Sequence, residues 1–260
     1  MPRLFDSLCN QKVTDFEWIL VNDGSTDGTK NVIDKILEQK TNFCIVYKEK
    51  KNGGKHTAIN LGASIARGKF FFIVDSDDYL TDESLMVLHD YCEQIVGDNR
   101  FAGVAGLRGD KSGNAWTHFG IGNGSSTNYD LYTSKKYIDA TSFEYRYKLK
   151  MLGDRAEVLR TDLLRKYPFP VYENERLMSE GMLWSRLAHD GYLFKWFNKV
   201  VYITEEYQSD GLAKNLVEVH LKSPKGLMDY DNYLLGCREI PFKERLKAGV
   251  GYFYYGERVD

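Results

Sequence analysis

The sequence predicts an α/β protein with a mostly parallel central sheet flanked by helices, and three observations carry that prediction. The first is the stretch 69–78, Lys-Phe-Phe-Phe-Ile-Val-Asp-Ser-Asp-Asp, an apolar run that ends abruptly in three carboxylates. Aromatic and β-branched residues behind Gly68 read as a strand buried on both faces. The second is alternation: within residues 1–100, β-type apolar runs alternate with amphipathic helical stretches at short intervals. That order calls for parallel βαβ units with right-handed crossovers. The third lies at the strand ends, which carry Asp23, the loop Asn52-Gly53-Gly54-Lys55, and Asp75 with Asp77. Ligands bind at the carboxyl ends of strands in such sheets, so the three ends are expected to open onto one edge of one sheet as a site.

Taken in order, residues 3–12 place Leu4, Phe5 and Leu8 on one helical face. Residues 16–21 read as a buried strand, and 22–28 as a strand-to-helix turn capped by Ser25 or Asp27. A helix from Thr29 carries Val32, Ile33, Ile36 and Leu37 at amphipathic spacing, followed by an apolar run at 42–47 and a closing loop at 48–54. Residues 56–67 are helical by the stripe Ala58, Ile59, Gly62, Ile65 and Ala66, with Gly68 as the C-terminal glycine. The acidic strand follows, then a helix over 82–96 with Leu85, Leu88, Tyr91, Cys92 and Ile95 inward. Residues 101–107 form a further strand, and the polar, glycine-rich 109–128 reads as a long loop able to cover a site. Beyond it come a strand at 156–160, a short helix at 161–166, a break at Pro168-Phe169-Pro170 and a helix at 179–189. Residues 192–197 and 199–204 look like paired strands around Asn198, and 223–235 and 242–255 like helices.

Composition narrows the class. A formal charge of -2 and a pI near 6.2 supply no basic field for nucleic acid. The four cysteines, Cys9, Cys44, Cys92 and Cys237, show no metal-ligand spacing and read as free, mostly buried thiols of a reducing cytoplasm. The five histidines are scattered, which argues against a zinc site, and no apolar run approaches the length of a membrane span.

Asp75 and Asp77 lie on the same side of a locally extended chain. Two hard oxygen donors so placed suit Mg²⁺ or Mn²⁺, which would keep water and substrate phosphates as its other ligands. An acidic turn leading into the next helix is the plainer reading of the same residues. Asp23 stands where a carboxylate could read a base or ribose, with Gly24 permitting close approach. Lys55 offers a cation beside the tight Asn52-Gly53-Gly54 backbone. The segment is no P-loop, because Glu49 and His56 stand where glycine and Ser or Thr are required. Gly120-Ile121-Gly122-Asn123-Gly124-Ser125 fails the dinucleotide fingerprint at its last position and reads as loop.

The segments 22–29, 52–62 and 71–78, in this order and spacing, resemble the nucleotide-sugar half of inverting family 2 glycosyltransferases of the GT-A fold. The resemblance covers residues 3 to 210 or so. It divides the chain into a GT-A-like domain over 1–215 (1–100 the nucleotide-sugar half, 101–215 the acceptor half) and a C-terminal helical extension over 216–260. It implies a nucleotide-diphosphate sugar donor, with UDP the expected nucleotide, and a saccharide or lipid-linked acceptor. Asp23, Asn52, Gly53, Lys55, Asp75 and Ser76 would bind the donor, and Asp77 with Asp75 a divalent metal in the manner of a DxD motif. Residues 177–184 resemble the acceptor-side motif, making Glu180 the candidate catalytic base. Many relatives carry Glu-Asp there; Gly181 follows Glu180 here, so Asp154 and Glu175 stay open as bases. Residues 207–212 resemble a segment of bacterial members that build surface or capsular polysaccharide.

The family opens with a central strand ending in Thr-Tyr-Asn or similar, whereas this sequence starts at the helix after it. The expectation is a weakened nucleotide site, or a gap filled by another segment or chain. A binding-only pseudo-enzyme is therefore one alternative. A nucleotidyltransferase is another, though it calls for an N-terminal glycine-rich loop bearing Arg or Lys. Residues 241–255 mix Lys243, Arg245 and Lys247 with Leu246, Val250, Phe253, Tyr254 and Tyr255. Packing onto the domain, or homodimerisation, is favoured there over peripheral contact with the inner face of the plasma membrane.

Overall fold

The computed structural model describes residues 1–115, 135–151, 153–204 and 216–259. The segments 120–125, read as loop, and 207–212, read as a family segment, lie outside the described residues, as does the rest of the loop through residue 134. Elements follow in the order α1 (Pro2–Cys9), β1 (Glu17–Asn22), α2 (Thr29–Leu37), β2 (Cys44–Glu49), α3 (Lys55–Ile65), β3 (Phe70–Phe72), β4 (Tyr79–Leu80) and α4 (Ser84–Glu93). Next come β5 (Phe101–Gly109), β6 (Tyr137–Ala140), a π-helical turn (Glu144–Lys148), β7 (Arg155–Arg160), α5 (Thr161–Lys166) and α6 (Gly181–His189). The chain ends with β8 (Leu193–Ile203), α7 (Leu216–Leu221), α8 (Pro224–Gly236) and α9 (Phe242–Gly256).

The strands form two sheets rather than the single one expected. β1 and β2 pair in parallel, Glu17 with Cys44 through Asn22 with Glu49. The larger sheet runs β3-β7-β5-β8-β4, with β6 also on β8. It is mixed: β5 and β8 are parallel, while β7 returns antiparallel between β3 and β5. Its core strand β5 is buried almost throughout, because helices cover both faces. On one face Ile59 of α3, Leu163 and Leu164 of α5 and Met182, Leu183 and Leu187 of α6 pack with Leu159, Phe194 and Trp196. On the other, Leu4 and Leu8 of α1 and Val87, Leu88 and Cys92 of α4 pack with Val104, Phe197, Val201 and Tyr202. At α8 and α9, Cys237 and Ile240 pack against Phe143 and Ala188.

Three expectations need correction. The acidic run forms a strand over Phe70–Phe72 only, and all three residues are half-buried instead of buried on both faces. The edge of β3 away from β7 carries no strand among the described residues, so that side stays open. Residues 192–204 are one long strand and not a hairpin, because β5 pairs along its whole length. The polar Asn198-Lys199 step is taken up as an irregularity in register, between Ala105↔Trp196 and Leu107↔Val200. All four cysteines are free, but Cys9 and Cys44 are exposed, and only Cys92 and Cys237 are buried.

Candidate active site

The cleft is built from the loops that leave β1, β2 and β3 and from the start of α6. Asp23 follows β1, and its carboxylate is gripped by the loop after β2. Oδ1 accepts from Lys50 Nζ at 2.6 Å and from the Gly53 amide at 3.0 Å, and Oδ2 accepts from the Gly54 amide at 2.7 Å. Glycine is required on both sides of this contact. A Cβ on Gly24 (φ +71°) would stand 2.7 Å from the Asn52 nitrogen, and one on Gly54 (φ +91°) would stand 1.9 Å from the Arg176 carbonyl oxygen. The loop is tied down further by Lys50 Nζ, which donates to Thr57 Oγ1 at 2.7 Å. Asp27 accepts from the Thr29 amide at 2.9 Å at the start of α2, but the N-cap position itself is taken by Gly28 and not by the expected Ser25 or Asp27.

Lys55, the first residue of α3, carries the cleft across to the acidic turn. Its ammonium lies 2.5 Å from Asp75 Oδ1 and 2.7 Å from Glu180 Oε1. Burial pulls the lysine down, but the carboxylates of Glu180 and Asp75 outweigh it and hold the ammonium above the usual lysine range. Asp75 is held below the usual carboxylate range: burial works against ionisation, and Lys55, then Arg108 and Tyr202, more than offset it. Arg108 lies 3.9 Å from Asp75 Oδ2, with its guanidinium over the Tyr202 ring at 4.4 Å. The Asp75 amide donates to the Tyr202 hydroxyl at 3.0 Å. Burial pushes Asp78, the last acid of the turn, up to about 6. Asn52, Ser76 and Asp77 are exposed at the rim.

Among the candidate bases, Glu180 sits at the N-cap of α6 and faces Lys55. Glu175 is used otherwise: its carboxylate accepts from the Lys225 and Gly226 amides, each at 2.8 Å, and caps α8. Asp154 is exposed just before β7. Gly181 also has a local reason, since a Cβ there would stand 2.3 Å from the Tyr230 hydroxyl.

Sequence reasoning missed Lys50, Arg108, Tyr202 and Glu157. The last lies on β7, and burial pushes it up to about 7, with Arg108 pulling it down and Glu180 and Asp154 adding to the rise. Nothing in local spacing marks Arg108, Glu157 and Tyr202, because they reach the cleft from β5, β7 and β8, while Lys50 lies in the loop after β2. His56, beside Lys55, is buried with Nδ1 lacking a hydrogen-bond partner among the described residues, and burial lowers its pKa. Away from the cleft, His189, Cys237 and Glu239 bring ligand-type atoms within 4.8 Å, a grouping the scattered histidines did not foretell. There the Cys237 thiol, pushed up to about 11 by burial, donates to the Tyr233 carbonyl, and His189 pairs with Glu239 at 2.8 Å.

Acids and a lysine gather here where strands of an α/β fold end, and the fold is that of the GT-A transferases. Solved structures agree on the fold. Staphylococcus aureus TarS (residues 1–349, complexed with UDP-GlcNAc) superposes with a TM-score of 0.62 at 17% identity, covering 99% of this chain and 68% of that one. A mannosyltransferase from Pyrobaculum calidifontis, in complex with GDP-Man and Mn²⁺, gives 0.58 at 17% identity, covering 97% and 68%. The chain belongs to glycosyl transferase family 2, whose profile matches residues 1–166. It is 29% identical over 111 residues to a poly(ribitol-phosphate) beta-glucosyltransferase of Bacillus spizizenii, covering 42% of this chain and 18% of that protein. Over 206 residues it is 26% identical to the glycosyltransferase GlyA of Streptococcus pneumoniae, covering 79% and 26%. The matches therefore span under a third of the length of these relatives.

Proposed function

We propose that the chain moves a sugar from a nucleoside diphosphate donor, UDP by expectation, to a saccharide or lipid-linked acceptor with inversion at the anomeric carbon. The observation that carries this reading is the lysine bridge. One ammonium spans Asp75 on the donor side and Glu180 on the acceptor side, while the adjacent Gly54 amide fixes Asp23. Neighbours of the same fold that hold UDP-GlcNAc, or GDP-Man with Mn²⁺, support it.

The residues can divide the work as follows. Asp23, with Asn52 and Gly53 beside it, reads the nucleoside, and Ser76 lies next to the diphosphate. An arriving diphosphate competes for Lys55. As the ammonium turns to it, Glu180 is released from its ion pair with Lys55 and is free to take the acceptor hydroxyl's proton. The hydroxyl then attacks from the face opposite the leaving diphosphate. The donor set suits a divalent ion in one respect: Asp77 is an exposed hard oxygen ligand at the rim. Asp75 fits as a second ligand once Lys55 has moved to the diphosphate, since the ammonium now occupies its Oδ1. A bound Mg²⁺ or Mn²⁺ would offset the charge developing on the departing diphosphate.

The proposed setting is cytoplasmic assembly of a cell-envelope polysaccharide. Among the described residues no helix is long and apolar enough to cross a membrane. Helix α9 exposes Phe242, Leu246, Val250 and Phe253, a face suited to a partner copy or to peripheral membrane contact. The test is donor turnover by the purified chain with Mn²⁺, against Asp77→Ala and Glu180→Gln. Loss in both variants supports the transferase. No turnover in the parent supports the second reading, a nucleotide-sugar-binding pseudo-enzyme, which the gap between β1 and β3 favours.

A further inference from the structure

At the end of α6 away from the cleft, three side chains of metal-ligand type meet. His189 is the last residue of α6, and Cys237 and Glu239 lie in the link between α8 and α9. One ligand atom from each, a ring nitrogen, Sγ and a carboxylate oxygen, falls within 4.8 Å of the others. Nδ1 of His189 stands 2.8 Å from Glu239 Oε1. Glu180 caps the opposite end of α6, and helix rise puts it about 13 Å away. The group is therefore no part of the donor cleft.

The backbone that carries these ligands is held in place. Cys237 and Ile240, on either side of Glu239, are 1% and 3% exposed and pack with Phe143 and Ala188. Arg245 Nε of α9 donates to the Leu235 carbonyl at 3.0 Å, pinning the end of α8. Tyr233 touches two of the three ligands. Its ring meets the His189 ring edge-on, with centroids 6.1 Å apart, and its carbonyl accepts from the Cys237 thiol at 3.3 Å. The His189 and Glu239 side chains are about half exposed, so both can adjust. An ion pair at that exposure contributes little by itself. A tetrahedral zinc ion sets its ligand atoms about 3.5 Å apart, so shifts of about 1 Å in those two side chains suffice.

We propose that His189 Nδ1, Cys237 Sγ and a Glu239 carboxylate oxygen bind a zinc ion, with water in the fourth place, and that the ion staples the α8–α9 hairpin to the end of α6. A sulfur and an imidazole select zinc over the hard ions that suit the acidic turn. On binding, the Cys237 S–H proton leaves to solvent, its bond to the Tyr233 carbonyl is given up, and a Zn–S bond forms. His189 gives its lone pair as neutral imidazole. The thiolate and the carboxylate together balance the charge of the ion. Because the fourth place is open to water, this staple is weaker and more exchangeable than a closed site with four protein ligands.

The test needs no nucleotide, so it can fail independently of the transferase reading. The chain is freed of metal with a chelator and titrated with Co²⁺, whose thiolate charge-transfer absorption requires a cysteine ligand. None of the donor-cleft residues is a cysteine. The band is expected in the parent, should be displaced by equimolar Zn²⁺, and should be absent in Cys237→Ser. Glu239→Gln lies at an exposed position and leaves the fold intact, and it should weaken zinc binding about tenfold or more. Saturating Zn²⁺ should raise the melting temperature of the parent by about 5 °C and slow amide exchange in α8 and α9, with neither effect in Cys237→Ser. No charge-transfer band at saturating Co²⁺ overturns the proposal. So does a band that survives Cys237→Ser, which would assign it to exposed Cys9 or Cys44, and so does zinc affinity unchanged by Glu239→Gln.

Discussion

Gly54→Ala probes how the cleft is built. Gly54 has φ 91° and ψ 158°, a region open essentially to glycine, where a side chain costs about 1–3 kcal/mol of strain. The new Cβ would also meet Arg176 backbone, 1.9 Å from its oxygen and 2.6 Å from its carbonyl carbon. No rotamer relieves a clash with backbone, so the loop must retreat by about 1.5 Å to reach ordinary contact. That retreat lifts the Gly53 and Gly54 amides off Asp23. Hydrogen bonds to a charged group are worth about 1.5–3 kcal/mol each, part of which water returns at this half-exposed carboxylate. The expected loss is about 3–5 kcal/mol, a fall in melting temperature of about 10 °C for a chain of this size. Thermal unfolding by circular dichroism measures it, alongside UDP titration. Gly28→Ala is the control: a Cβ there meets nothing within 4 Å, and its cost should stay within about 0.5 kcal/mol. Wild-type stability and nucleotide binding in Gly54→Ala would refute the architecture described.

Other outcomes follow from the same geometry. Lys55→Met removes the cation shared by Asp75 and Glu180, so Asp75, which Lys55 holds down, should titrate higher than in the parent, read by carboxyl NMR, and donor binding should weaken. Asp78 and Glu157 are raised to about 6 and about 7. Their contributions to stability are therefore full below the ordinary carboxylate range and disappear as pH rises through those values. Stability should fall between about pH 4 and 7, and Glu157→Gln should flatten the upper part of that fall in melting scans. Asp75, lowered instead, should cost stability only as pH drops below its ordinary value. Glu175→Ala removes the cap on α8 and should cost about 1–2 kcal/mol while leaving Glu180-dependent turnover in the remaining folded protein. A pH–rate profile that loses its acidic limb in Glu175→Ala would contradict that assignment.

Much of residues 1–100 was legible because local pattern and tertiary placement coincide there. The turn after β1 carries its own special glycine, Gly24, and an acid, Asp27, that accepts from the first amide of α2. The helix at 161–166 agrees residue for residue with α5. What failed to show depends on long-range pairing. An apolar run such as 70–74 announces burial, but its neighbours decide how much of it forms a strand, and β3 has one edge open. Asn198 looks like a turn locally and becomes a bulge because β5 pairs along all of β8. In the site, Asp23, Lys55, Asp75 and Glu180 stood out as polar residues at strand or helix ends. Arg108 and Glu157 did not, since their chemistry arises only when β5 and β7 lie side by side. Glu175 resembled a base until α8 folded back onto it.

The account turns on Asp23, the 52–55 loop and the acidic turn sharing one donor cleft. The most direct measurement is paramagnetic broadening by Mn²⁺ and UDP in a ¹⁵N-labelled chain. The amides of 22–24, 52–55 and 75–77 should broaden together and recover in Asp77→Ala. Broadening at only one of these segments, or confined to the His189–Glu239 corner, would contradict it.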